Sequence, residues 1–144
     1  MRFVILAALV SLLFNNPALA RDTKHMLSIE EAMSSEAYAG KLNPDIKFYF
    51  ADQPHGKVVK SFGRFVSNKK TNAFGKSDQR ACEWALLSAL LSFQERVAAE
   101  GGNAVVDVIS YYKKVPMSSK TQYECHAGGV MAGVALQGTV VKLQ

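Results

Sequence analysis

Between Asp78 and Glu100, apolar residues return at three- and four-residue spacing: Cys82, Leu86, Ala89, Leu90, Phe93 and Val97. That period predicts one long amphipathic helix. Ser77 is placed to cap its start, Asp78 suits the positive end of the helix dipole, and Gly101-Gly102 ends it. Trp84, Leu87, Leu91 and Ala98 widen the apolar arc beyond what one sheet face would cover. Either an N-terminal helix packs there or a partner does. The stretch "SIEEAMSSEAYAGKL" predicts such a helix, with Ser28 and Glu31 forming a capping box and Gly40 and Pro44 stopping it.

Elsewhere the pattern reads as strands. "DIKFYFAD" and "KVVKSFGRFVS" are rich in aromatic and β-branched residues, and "QPHG" between them predicts a hairpin. In the second of these strands Lys60 and Arg64 share a face with Val58, Phe62 and Val66, so Gly63 is expected to mark a bulge. The polar residues 68–76 read as an exposed loop. "NAVVDVISYY" is nearly continuous in apolar character, as expected near the middle of a sheet, and "KKVPMSSKT" is a polar loop. "QYECHAGGVMAGVALQGTVVKL" predicts one long bent strand or two short ones, with glycines where backbones approach closely. The expected fold is α+β, one long helix laid across a mainly antiparallel sheet. Its order is αββαββ, the first helix being the short N-terminal one.

The start of the chain changes this picture of a simple soluble domain. "MRFVILAALVSLLFNNPALA" has one cation, an apolar core of about a dozen residues and an Ala-Leu-Ala close, which predicts a secretory signal peptide over residues 1–20. Residues 21–144 then form a single domain. The apolar core is too short to span a bilayer and no cysteine stands at the cleavage site. The expectation is a periplasmic protein that is neither transmembrane nor lipid-anchored. Loss of this segment removes only Arg2 from a formal net charge of +5. So mild an excess does not mark a nucleic-acid binder, and fits contact with anionic envelope material or an acidic protein.

Two cysteines in an oxidising compartment predict a disulfide, and Cys82 and Cys125 allow one intramolecular pairing. The topology agrees. A helix from Cys82 to Glu100 climbs about 27 Å, and the strand after it returns over a similar distance. The segment with Cys125 is thereby brought level with the first turn of the helix.

The residues invite four chemical readings. Gly75-Lys76-Ser77 before a helix invites a phosphate loop, but Lys70 stands where the first glycine of that motif belongs and the preceding segment is polar. His126 beside Cys125, and more weakly His55, are the best seeds of a metal site, yet neither has a second ligand at close spacing. No nucleophile elbow or other catalytic signature singles out a serine, and no cofactor is implied. The strongest signal is charge: Lys57, Lys60, Arg64, Lys69, Lys70, Lys76 and Arg80 face a single acid, Asp78, over that stretch. It reads as a solvated face or as a docking surface for an anionic partner. Trp84, Leu87 and Leu91 are the candidate apolar patch.

From Cys82 to the C-terminus the chain resembles the RcsF-like envelope family and the related YbjQ-like family. The resemblance rests on the cysteine in the segment leading to "GGNAVV" and the second cysteine before "AGVALQG". It implies the Cys82–Cys125 bond and a stress-sensing role in the envelope. Ser110 and Met131 stand about where that family's second disulfide falls, and its lipid-anchor cysteine and proline-rich tether have no counterpart. The leading expectation is an exported, non-catalytic binding or sensing protein whose partner is an envelope protein or an anionic envelope component. A periplasmic metal-binding protein and an immunity protein against a secreted toxin are the alternatives.

Overall fold

The computed structural model describes residues 20–144, so all of the expected signal segment except Ala20 lies outside the described residues. In chain order the elements are β1 (Thr23–Ser28), α1 (Ile29–Met33), β2 (Lys47–Phe50), β3 (Val58–Asn72), α2 (Asp78–Glu100), β4 (Ala104–Ser110), β5 (Gln122–Ala127) and β6 (Met131–Leu143). Six strands form one curled mixed sheet, and α2 lies across one face of it.

β6 is the organising strand. Along one edge it pairs with β3, antiparallel, from Asn72 opposite Met131 to Val58 opposite Leu143. It also pairs antiparallel with β5 through its first residues and with β4 through its later ones. β1 adds to the far side of β5, antiparallel, and β2 adds to β4, parallel. Gly138 sits where neighbouring side chains crowd β6. A Cβ on Gly138 would lie 2.7 Å from Val105 Cγ1 and 3.6 Å from Phe93 Cζ, so its hydrogen lets the sheet meet α2 at that point. Beside it β4 bulges at Asp107, whose φ is +50°, and Arg64 clamps the bulge from β3 through Asp107 Oδ2 at 3.0 Å.

α2 forms with the expected limits. Ser77 Oγ accepts from Arg80 N at 3.1 Å, and Gly101, at φ +80°, closes the helix with its N–H on Val97 O. All six residues of the predicted stripe are buried against the sheet. The wider apolar arc is covered in part by the chain itself, because the N-terminal segment packs along α2: Leu87 is buried, Trp84 and Leu91 are half-buried and Ala98 is exposed. Tyr38 Oη donates to Glu83 O, and the Gln94 amide exchanges two hydrogen bonds with the Asn43 backbone.

Four expectations need correction. The expected β2–β3 hairpin does not form. β2 instead runs parallel to β4, and β3 spends its length on β6, a far longer ladder than a four-residue partner could offer. The polar stretch from Asn68 to Asn72 is strand, because an edge strand satisfies its backbone through the ladder while its side chains face water. Thr23–Ser28, where the sequence predicts no strand, is β1, whose pattern is masked by having only Met26 and Leu27 as large apolar residues. The predicted N-terminal helix is shorter than expected: α1 ends at Met33, with a separate 3-10 turn at Glu36–Tyr38, because the backbone turns extended at Ser35, ψ 159°. The order is therefore βαββαβββ, and the C-terminal apolar segment is two strands.

Candidate functional site

The first turn of α2 is held from three directions. Cys82 on α2 and Cys125 on β5 form a disulfide, S–S 2.04 Å with Cα atoms 5.9 Å apart, and neither residue is exposed. One strand further out, His25 sits opposite Cys125 in the β1–β5 register. Its Nε2 lies 2.8 Å from Asp78 Oδ2. Arg21 grips the same carboxylate with both guanidinium arms at 2.7 and 2.9 Å. The Arg21 hydrogen bonds, then His25, lower the Asp78 pKa from 3.8 to about 2. In turn Asp78 raises that of Arg21. Beneath this clamp, burial drives the Tyr38 and Tyr123 phenols well above their ordinary range, so both rings are neutral.

On the opposite face of β5 the side chains are polar. His126 stacks flat on Tyr112, ring centroids 3.4 Å apart and planes within 9°. Its Nε2 is 2.7 Å from Glu124 Oε1 and its Nδ1 3.3 Å from Asp22 Oδ1. The second contact is an electrostatic approach and not an aligned hydrogen bond. Burial, then Asp22, raises the Tyr112 pKa. A cleft of ≈ 540 Å³ opens beside this stack, between the segment at Arg21 and the β5–β6 turn, with Lys70 on its rim. Both imidazole nitrogens of His126 face carboxylates. No three His, Cys, Asp or Glu side chains among the described residues are arranged to share a metal ion. His55 is exposed in the loop after β2, its Nδ1 on Gly56 O at 2.8 Å.

The basic run maps onto β3, with Lys57 just before it, the turn after it and, for Arg80, the first turn of α2. Lys57, Lys69 and Lys70 are exposed and form no ion pair among the described residues. Lys60 lies over the Phe62 ring at 5.0 Å. Arg64 is spent on Asp107 and on Thr139 Oγ1. Lys76 bonds Asn72 O, and Arg80 approaches the Trp84 ring. Gly75, at φ +72°, turns the chain into the helix cap, so Gly75-Lys76-Ser77 acts here as a loop end, a tethered cation and a cap. In the apolar group Leu87 is buried in the core, while Trp84 and Leu91 are half-buried and Lys41 Nζ sits 4.1 Å over the Trp84 ring.

Sequence reasoning missed Arg21, Asp22, Tyr112 and Glu124. Each is an ordinary polar residue on its own segment, and the cluster exists only because β1, β5 and the turn after β4 converge. Compared with known proteins, the chain matches no family model, no curated protein and no solved structure. Fold and surface chemistry therefore define it only as an α+β domain with a buried disulfide and a basic sheet edge. No helix among the described residues is long and apolar enough to cross a membrane.

Proposed function

We propose that this is an exported envelope protein that works by binding an anionic partner and performs no chemistry of its own. The cations along β3 carry the reading: Lys69 and Lys70 on the strand and Lys57 just before it are exposed and form no ion pair among the described residues, and the single acid of that stretch, Asp78, is already held by Arg21 and His25. Val66 and Phe74 are exposed beside them, at 54% and 76%, and give the surface an apolar component. A buried disulfide favours a compartment where such bonds persist, in keeping with the signal segment read from residues 1–20 and with the resemblance of its later half to RcsF-like envelope proteins.

The test is capture of envelope material on immobilised protein comprising residues 21–144. Attraction between exposed charges is screened within about 8 Å at physiological ionic strength. Bound material should therefore elute by about 0.5 M salt, and a Lys57→Glu/Lys69→Glu/Lys70→Glu variant should capture little. Retention that is indifferent to both salt and charge reversal would overturn the reading.

A further inference from the structure

β3 pairs with β6 along its length and with no other strand among the described residues. Beyond that ladder, its backbone from Val58 to Thr71 bonds to nothing else among the described residues. A fifteen-residue strand thus presents a row of N–H and C=O groups on its outer edge. Such an edge is a template for another extended chain, which supplies main-chain hydrogen bonds and places alternate side chains beside those of the host strand.

The charge on this edge selects the occupant. A second copy pairing antiparallel would bring Lys57, Lys60, Lys69 and Lys70 of one chain against those of the other, and like charges directly opposite disfavour a sheet pair. The same lysines attract a strand carrying carboxylates. Past the bulge at Gly63 the side chains alternate cleanly. Ser67 turns inward to bond Ala89 O on α2, so Val66 and Lys70 share the outer face. An incoming strand would set an apolar residue beside Val66 and an acidic one beside Lys70, two positions of one face.

We propose that β3 is a strand-addition site for an extended acidic segment of another polypeptide, docking along Arg64–Asn72. This rests on the anionic-partner reading of the same strand and specifies both the partner's class and its mode of attachment.

The probe is a fluorescent peptide of about nine residues with Val and Glu four positions apart on one face and Thr with a second Glu on the other, matched to the length of Arg64–Asn72. It is compared with the same peptide N-methylated at alternate backbone amides and with vesicles of phosphatidylglycerol. Anisotropy at low salt should show the methylated peptide binding at least tenfold more weakly, since it keeps the charge and side chains but loses the ladder. The Lys69→Glu/Lys70→Glu variant, altered only at exposed side chains, should weaken the parent peptide about tenfold, as expected from replacing two weak surface attractions by repulsions. Hydrogen exchange should slow at Arg64–Asn72. Equal binding of both peptides, or slowed exchange at β1 or β2 instead, overturns strand addition while leaving anionic docking in place. Vesicle binding without peptide binding does the same. Failure of both peptide and vesicles removes the anionic-partner reading as well.

Discussion

Removing the Cys82–Cys125 bond should cost stability mainly by releasing the unfolded chain. The two residues are 43 apart in sequence. In the chain-entropy model a loop of that size is worth about 4 kcal/mol at room temperature. Both residues are fully buried, one on the first turn of α2 and one on β5. Replacing each by alanine leaves only small voids and no orphaned polar group. Single domains are stable by about 5–15 kcal/mol, so the double variant should still fold. For a domain of this size the loss corresponds to a melting temperature lower by roughly 15 °C. In urea it corresponds to a midpoint lower by roughly 2–3 M. The assay is urea unfolding of oxidised wild type against Cys82→Ala/Cys125→Ala. The slope should rise in the variant, because an uncrosslinked unfolded chain exposes more surface. A midpoint shift under about 0.5 M with an unchanged slope would refute the reasoning, showing that the bond does not act through the unfolded state.

Further expectations concern the packing and the clamp at α2. Gly138→Ala puts a methyl 2.7 Å from Val105 Cγ1, a stiff β-branched side chain, and should destabilise by about 1–3 kcal/mol in thermal or urea melts; a neutral result would mean that β4 and α2 are not held against β6 there. Ser67→Ala removes a buried hydrogen bond of 2.9 Å to Ala89 O and should cost about 0.5–1.5 kcal/mol. Asp78 has its folded pKa lowered from 3.8 to about 2, so its pairing with Arg21 and His25 stabilises the fold above pH 4 and is lost as the pH falls from about 4 to about 2. Urea midpoints taken at pH 6 and at pH 2.5 should therefore fall less for Asp78→Asn than for wild type, and an equal fall would show that the clamp contributes nothing.

Strong, repeated local signals were legible in the sequence. The stripe of α2 is repeated over several turns, and both of its ends carry residues with the required chemistry, Ser77 and Gly101, so its limits were readable to the residue. Ser28 and Glu31 likewise set the start of α1, though the extended backbone at Ser35 shortened what followed. The cysteine pair followed from count and from the out-and-back run of α2 and β4. Strand pairing was not legible in the same way. A strand's own residues state that it is extended, but which edge it joins depends on ladders formed with residues distant in sequence. The polar end of β3 and the whole of β1 lacked the apolar alternation that reports a buried face, since no residue of either is fully buried.

By itself, then, the sequence determined an α+β class, one long helix with fixed ends, a single possible disulfide and a run of cations with one acid among them. Each depends on residue type and short-range spacing alone. Tertiary structure decided the rest. It put β6 at the centre of the sheet, turned β2 parallel to β4, and placed the N-terminal segment over the apolar excess of α2 around Leu87. It gathered Asp22, Tyr112, Glu124 and His126 from three segments into one cluster. It also converted the basic run from a list of charges into the edge of a strand. The physical reason is common to all of these: burial and hydrogen-bond satisfaction are settled between segments remote in the chain, and a residue's own neighbours carry no record of which remote edge will meet it.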